Sequence, residues 1–147
     1  LGSVRNQYLD GGYGLDCAQE TAAVMDKEVK ILLDKCYRDA VTLIRENLEL
    51  CGLSDRARVR NGDSLAYLRS GEKFDLVFLD PPYDTGLLEQ ALQDIAGFDI
   101  CREHGIIMAE SPADAVLPPL AAPYRLYREY RYGRIKLTVY HRQGNEE

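Results

Sequence analysis

Four consecutive residues carry the sharpest chemistry in this chain: Asp80, Pro81, Pro82 and Tyr83. They follow Phe74-Asp75-Leu76-Val77-Phe78-Leu79, in which five of six residues are apolar. That run predicts a strand over 74–79 buried on both faces, as in a parallel sheet. Neither proline can donate a ladder hydrogen bond, so the strand must end at Asp80. An acid is thereby held at the carboxyl rim of an α/β sheet, where ligands bind. The Asp80 carboxylate can accept one N–H bond, and the Pro81 carbonyl, in an extended X-Pro-Pro turn, can accept another. Two acceptors facing one exocyclic NH2 draw its nitrogen toward tetrahedral geometry and localise a lone pair otherwise delocalised into a ring. The chemistry this suits is alkylation of that amine, with positioning supplying most of the rate. Tyr83 offers an aromatic face for a flipped or single-stranded base, typically worth about 1–3 kcal/mol per base. The alternative is a plain strand-ending turn, rigid through proline and packed through tyrosine. Its place after an apolar strand, in an alternating β/α chain, favours the chemical reading.

The elements around this tip follow the same alternation. Val29-Lys30-Ile31-Leu32-Leu33-Asp34 reads as a short apolar strand ending in an acid. In a Rossmann-like unit such an acid accepts hydrogen bonds from ribose hydroxyls; otherwise Asp34 caps the next helix. That helix is expected from about Tyr37 to Cys51, with Ala40, Val41, Ile44, Leu48 and Cys51 as its buried stripe and Gly52 ending it. A short link and strand over 54–60 lead to Asn61-Gly62-Asp63-Ser64, a turn opening a helix to about Leu68, with Asp63 placed to cap it. Beyond the 74–79 strand, Asp84-Thr85 start a helix with Leu87, Leu88, Ala91, Leu92 and Ile95 inward. Gly105 to Glu110 is the next buried strand, and Glu110 ends on the same rim, as a substrate contact or a hydrogen-bonded structural acid. Residues 113–123 form a short helix or loop. Strands over 124–130 and 134–140 make a hairpin at Tyr132-Gly133, with Ile135, Leu137 and Val139 on its buried face and Arg134, Lys136 and Thr138 alternating with them. At the other end of the chain, the polar run 4–9, Gly11-Gly12-Tyr13-Gly14 and a helical stripe of Leu15, Ala18, Ala22 and Met25 give the order strand, glycine turn, helix. That is the order of a cofactor-binding unit, with Asp10, Gly12 and Gly14 as its candidates, or else of a plain flexible turn.

The 147 residues suit one domain with one core, and the 46% apolar content is ordinary for a globular protein. No apolar run approaches the roughly 20 residues of a membrane span, and no signal-peptide pattern is visible. Cys17, Cys36, Cys51 and Cys101 are far apart and form no C-x-x-C pair. They read as reduced thiols in a cytoplasmic protein, with no metal site. The net charge of −6 argues against nonspecific nucleic-acid binding. Yet residues 124–142 hold six cations against Glu129, a local balance of +5 that leaves −11 for the rest. One basic face on an acidic body can guide a phosphate backbone, with Arg131, Arg134 and Lys136 as candidate contacts. The same pattern also fits a solvated hairpin edge kept basic against aggregation.

Four motifs in one order carry a family likeness: Leu43-Ile44-Arg45-Glu46-Asn47-Leu48-Glu49, Asn61-Gly62-Asp63, Phe74 through Tyr83, and Tyr132-Gly133-Arg134. Over about Val29 to Arg142 the chain resembles the RsmD family of small-subunit rRNA guanine-N2 methyltransferases, which use S-adenosylmethionine. The resemblance implies an α/β, Rossmann-like class I methyltransferase fold, with a mostly parallel sheet and a C-terminal antiparallel hairpin. It implies one domain over 1–147, in which 1–28 is an atypical or incomplete first β-α unit. S-adenosylmethionine would be held by Asp34, Lys35, Asp63 and Ser64, with Asp63 at the adenine, and by the Asp10, Gly12 and Gly14 turn. Asp80, Pro81, Pro82 and Tyr83 would hold the guanine amine. The implied partner is ribosomal RNA or the small ribosomal subunit, met by a cytoplasmic monomer without metal or membrane. The chain departs from the family where an apolar strand should run into a fuller glycine motif after a basic segment. Two rivals stay open: an adenine-N6 or other amino-methyltransferase on DNA or RNA, and a non-catalytic RNA-binding module with a degraded cofactor loop.

Overall fold

Strands and helices alternate through the computed structural model, which describes residues 29–34 and 38–144, with side chains from Val41 onward. The 4–9 strand, the glycine turn and the helix after it lie outside the described residues. Contacts divide the chain into two compact units, Leu1–Ser64 and Leu65–Glu147.

In the first unit, β1 (Val29–Asp34) and β2 (Ala57–Gly62) pair in parallel, from Val29 opposite Ala57 to Asp34 opposite Gly62. The connection is α1 (Arg38–Leu50), which buries Val41, Ile44, Asn47 and Leu48. Ile44 and Leu48 pack against Leu53, Ala57 and Val59. Gly52, at φ +67°, ends the helix in the left-handed region, and the Leu53 N–H returns to the Leu48 carbonyl at 2.8 Å. β2 runs two residues further than expected: Asn61 and Gly62 are paired to Leu33 and Asp34 rather than turning. The parallel ladder outweighs the turn propensity of Asn-Gly here. The short α2 (Ser64–Leu68) follows.

The second unit is built on a four-stranded sheet in the order β3-β4-β6-β5. β3 (Phe74–Leu79) has the expected bounds and runs parallel to β4 (Cys101–Pro112). Its side chains are half-buried, not buried on both faces; among the described strands it pairs only with β4. α3 (Leu87–Gly97) begins later than expected, because Asp84 and Gly86 at φ +59° and +72° cannot belong to a helix. Leu88, Ala91, Leu92 and Ile95 face inward as the pattern required. They form a core with Ile100, Cys101, Ile107, Ala109, Tyr124 and Tyr140. No helix forms over 113–123.

β5 (Tyr124–Tyr132) and β6 (Ile135–Arg142) make the antiparallel hairpin, turning at Gly133 with φ +59°. The expected burial of β6 holds at Val139 but not at Ile135 and Leu137. Lys136, Thr138, Tyr140 and Arg142 are all buried, while Ile135 and Leu137 are only half-buried. β6 lies inside the sheet, between β4 and β5, and residues on both of its faces are buried or half-buried. Lys136, Tyr140 and Arg142 find partners for their polar groups. Lys136 Nζ donates to Glu129 and to the Ala115 carbonyl, and the Tyr140 hydroxyl donates to the Pro118 carbonyl. Arg142 grips the Asp99 carboxylate at 2.7 and 2.8 Å.

Candidate active site

β3 delivers Asp80 to its tip, and the parallel register sets Leu79 opposite Ala109. Asp80 therefore lies beside Glu110, one step along β4. Asp80 keeps an exposed edge, but burial of the rest of the group pushes its carboxyl up to about 6, and the Glu110 charge adds to that rise. Glu110 itself is buried, at 3% exposure.

The Pro81-Pro82-Tyr83 turn brings the tyrosine hydroxyl back to Glu110. The Tyr83 hydroxyl donates to Glu110 Oε1 at 3.1 Å. Burial first, and that bond second, push the phenol up to about 12. One edge of the ring is thus pinned to the sheet, and 44% of the residue stays open to solvent. Thr85 fixes the turn from the far side, its hydroxyl donating to the Pro82 carbonyl at 2.8 Å. The rim of this unit thus combines an ionisable carboxyl, a rigid proline turn and an anchored aromatic face. Glu110 is the residue the sequence reading left undecided. Its signal was the one that pointed to Asp80, an acid after an apolar run, but Glu110 does not end its strand as expected: β4 continues to Pro112 because Ser111 and Pro112 pair with β6.

The other candidates divide by unit. Asp34 ends β1, and Asp63 follows directly after Gly62, its partner in β2. Two acids therefore sit at the carboxyl ends of adjacent parallel strands, with Asp63 exposed and Ser64 opening α2. Acceptors at neighbouring strand tips suit a nucleoside that presents a ribose diol and an exocyclic amine. Asp10, Gly12, Gly14 and Lys35 lie outside the described residues. On the hairpin, Arg131 and Arg134 are exposed. Lys136 does not join them: it is 3% exposed and its ammonium is held by Glu129 at 2.6 Å and by the Ala115 carbonyl at 2.7 Å.

Acid-tipped parallel strands, closed by an antiparallel hairpin, mark the class I methyltransferases, whose methyl donor is S-adenosylmethionine. The crystal structure of HI0767 from Haemophilus influenzae superposes with a TM-score of 0.76 at 26% identity, over 90% of this chain and 83% of that one. Residues 19–141 match the family described as Conserved hypothetical protein 95, and the chain belongs to this family, that of RsmD. The Haemophilus influenzae ribosomal RNA small subunit methyltransferase D is 31% identical over 144 residues, covering 92% of this chain and 72% of its own length. YlbH of Bacillus subtilis strain 168 is 27% identical over 147 residues, covering 93% and 79%.

Proposed function

We propose that this protein methylates the exocyclic N2 amine of a guanine in small-subunit ribosomal RNA. The observation that carries the reading is the tip of β3, where Asp80 and the Pro81 turn stand beside a tyrosine anchored on Glu110. The family supports it, since the Haemophilus influenzae relative is named for ribosomal RNA methylation. In this reading Asp80 and the Pro81 carbonyl accept the two amine hydrogens, so the nitrogen lone pair points away from the ring. Tyr83 stacks on the base and fixes its plane, and Pro82 keeps the turn from relaxing. Each of these is a positioning effect, and together they supply most of the rate. S-adenosylmethionine supplies an electrophilic methyl when bound. Asp34 with Lys35 would hold its ribose, and Asp63 with Ser64 its adenine. The Asp10, Gly12 and Gly14 turn would complete the cofactor set.

A second reading has one observation behind it: a D-P-P-Y tip recognises an amine, and adenine N6 is an amine on a ring as well. Nucleoside mapping separates the two. The protein is incubated with S-adenosylmethionine labelled in its methyl group and with unmodified small-subunit RNA or particles. The RNA is then digested and its nucleosides resolved by mass. N2-methylguanosine is expected. Label in N6-methyladenosine would replace guanine by adenine, and failure to bind or use S-adenosylmethionine would overturn both readings.

A further inference from the structure

β5 is an edge strand among the described residues, and it is armed on one face with aromatic rings. Tyr127 and Tyr132 are 57% exposed and Tyr130 is 36% exposed. Tyr130 and Tyr132 are two residues apart and opposite Leu137 and Ile135, so they share a face. Arg128, opposite Val139, lies on the same face. A register shift between Leu126 and Arg128 lets Tyr127 join them. Its ring stacks on His141 at 4.2 Å with the planes 5° apart. The Arg128 guanidinium sits 5.7 Å from the Tyr127 ring centre and 5.8 Å from that of Tyr130. The result is a row of flat groups running along one strand. Catalysis at Asp80 makes no use of it.

We propose that this row, Tyr127, Arg128, Tyr130 and Tyr132 braced by His141, is a stacking platform for unpaired RNA bases. It rests on RNA being the substrate and extends that reading to a second contact site. Every base has a π-face, so rings and guanidinium planes bind single strands with little sequence preference. The charge fits the same occupant. Arg125 and Arg128 lie on the face of the rings, Arg131 lies on the opposite face of the same edge, Arg134 follows the turn, and Glu129 is paired with Lys136. A second copy pairing along this edge would bring arginines against arginines, which disfavours self-association. A single strand lying along β5 meets rings for its bases and cations for its phosphates. The platform would secure unpaired RNA flanking the target base.

The test is fluorescence anisotropy with a labelled, unstructured 12-nucleotide RNA, without S-adenosylmethionine. The parent is expected to bind this RNA more tightly than a duplex of equal length. Tyr130→Ala and Tyr132→Ala should each weaken binding about tenfold. Arg128→Gln should weaken it and also reduce the salt slope by roughly 0.7. These tyrosines are exposed, so circular dichroism should show each variant folded. The platform is overturned if the parent does not bind, if the tyrosine substitutions leave affinity unchanged, or if duplex binds as well as the single strand. It is equally overturned if sedimentation shows a dimer that Tyr130→Ala dissolves and RNA does not bind, since the occupant is then a second copy. Because the assay involves no methyl transfer, platform and catalysis fail separately: methylation without this binding removes only the platform, and this binding without methylation removes only the catalytic reading.

Discussion

A carboxyl group raised to about 6 changes its charge inside the range of ordinary buffers, and Asp80 is such a group. The amine clamp needs the ionised form, because a protonated carboxyl offers a hydrogen where an acceptor is required. Methyl transfer should therefore rise with pH around a midpoint near 6, read from single-turnover rates between pH 5 and 8. Burial is the larger cause of the shift and Glu110 the smaller. Glu110→Gln keeps an acceptor for the Tyr83 hydroxyl but removes the charge, so its midpoint should move down without reaching the ordinary carboxylate value. An unmoved midpoint would detach Glu110 from the site. For stability the sign is the reverse of a salt-bridged acid. The folded state holds this proton more tightly, so Asp80 favours folding at low pH, and that contribution is lost as pH rises from the ordinary carboxylate value of 3.8 through about 6. Tyr83→Phe should destabilise the protein by about 1–3 kcal/mol, since it leaves buried Glu110 without this donor, and should also raise the RNA concentration at half-maximal rate. Urea unfolding and steady-state methylation check the two effects.

At the scale of elements, β4 and β6 hold the rim in place by means that local patterns do not announce. β4 breaks register between its contacts with Phe74 and Leu76, and Gly105 lies inside that break. A Cβ at Gly105 would stand 2.8 Å from the Arg102 carbonyl oxygen and 2.9 Å from the Cys101 Cβ. Gly105→Ala should therefore cost on the order of 1–3 kcal/mol, seen as a lower urea midpoint. β6 ends in Arg142, whose bidentate bond to Asp99 is supported by the Tyr124 hydroxyl. The Arg142 bond is the main reason the Asp99 carboxyl is held down at about 2. A depressed acid stabilises the fold above its ordinary value, and that contribution disappears as pH falls toward 2. The parent should lose stability steadily from about pH 4 to pH 2, and Arg142→Ala should flatten that slope as well as lowering stability at pH 7. The partner of Arg142 could not be read from sequence, because Asp99 lies 43 residues away. For the same reason the alternation Ile135, Leu137, Val139 found only Val139 among the buried residues of β6: Lys136 and Arg142 are buried on the other face because Glu129, the Ala115 carbonyl and Asp99 meet them, partners that only the folded chain supplies.

Across the whole molecule, apolar runs and their punctuation located most of the elements. β3 has the bounds its composition implied, and the parallel strands ending in a hairpin follow the resemblance to RsmD. Elements displaced from expectation are those governed by backbone or pairing: Asn61-Gly62 was absorbed into β2, and α3 was delayed by the left-handed residues Asp84 and Gly86. The candidate chemistry was legible because it is local, four residues at one strand tip. Its environment was not, since the Glu110 contact with Tyr83 spans 27 residues and depends on the register of β3 with β4. Central to the account is that Asp80 acts on the amine and not on the cofactor. The direct measurement compares parent and Asp80→Ala twice: S-adenosylmethionine affinity by calorimetry, and methyl transfer to small-subunit RNA at saturating cofactor. Affinity should stay within a few-fold while the transfer rate falls by about two orders of magnitude or more. An Asp80→Ala protein that methylates at the parent's rate would contradict the account outright.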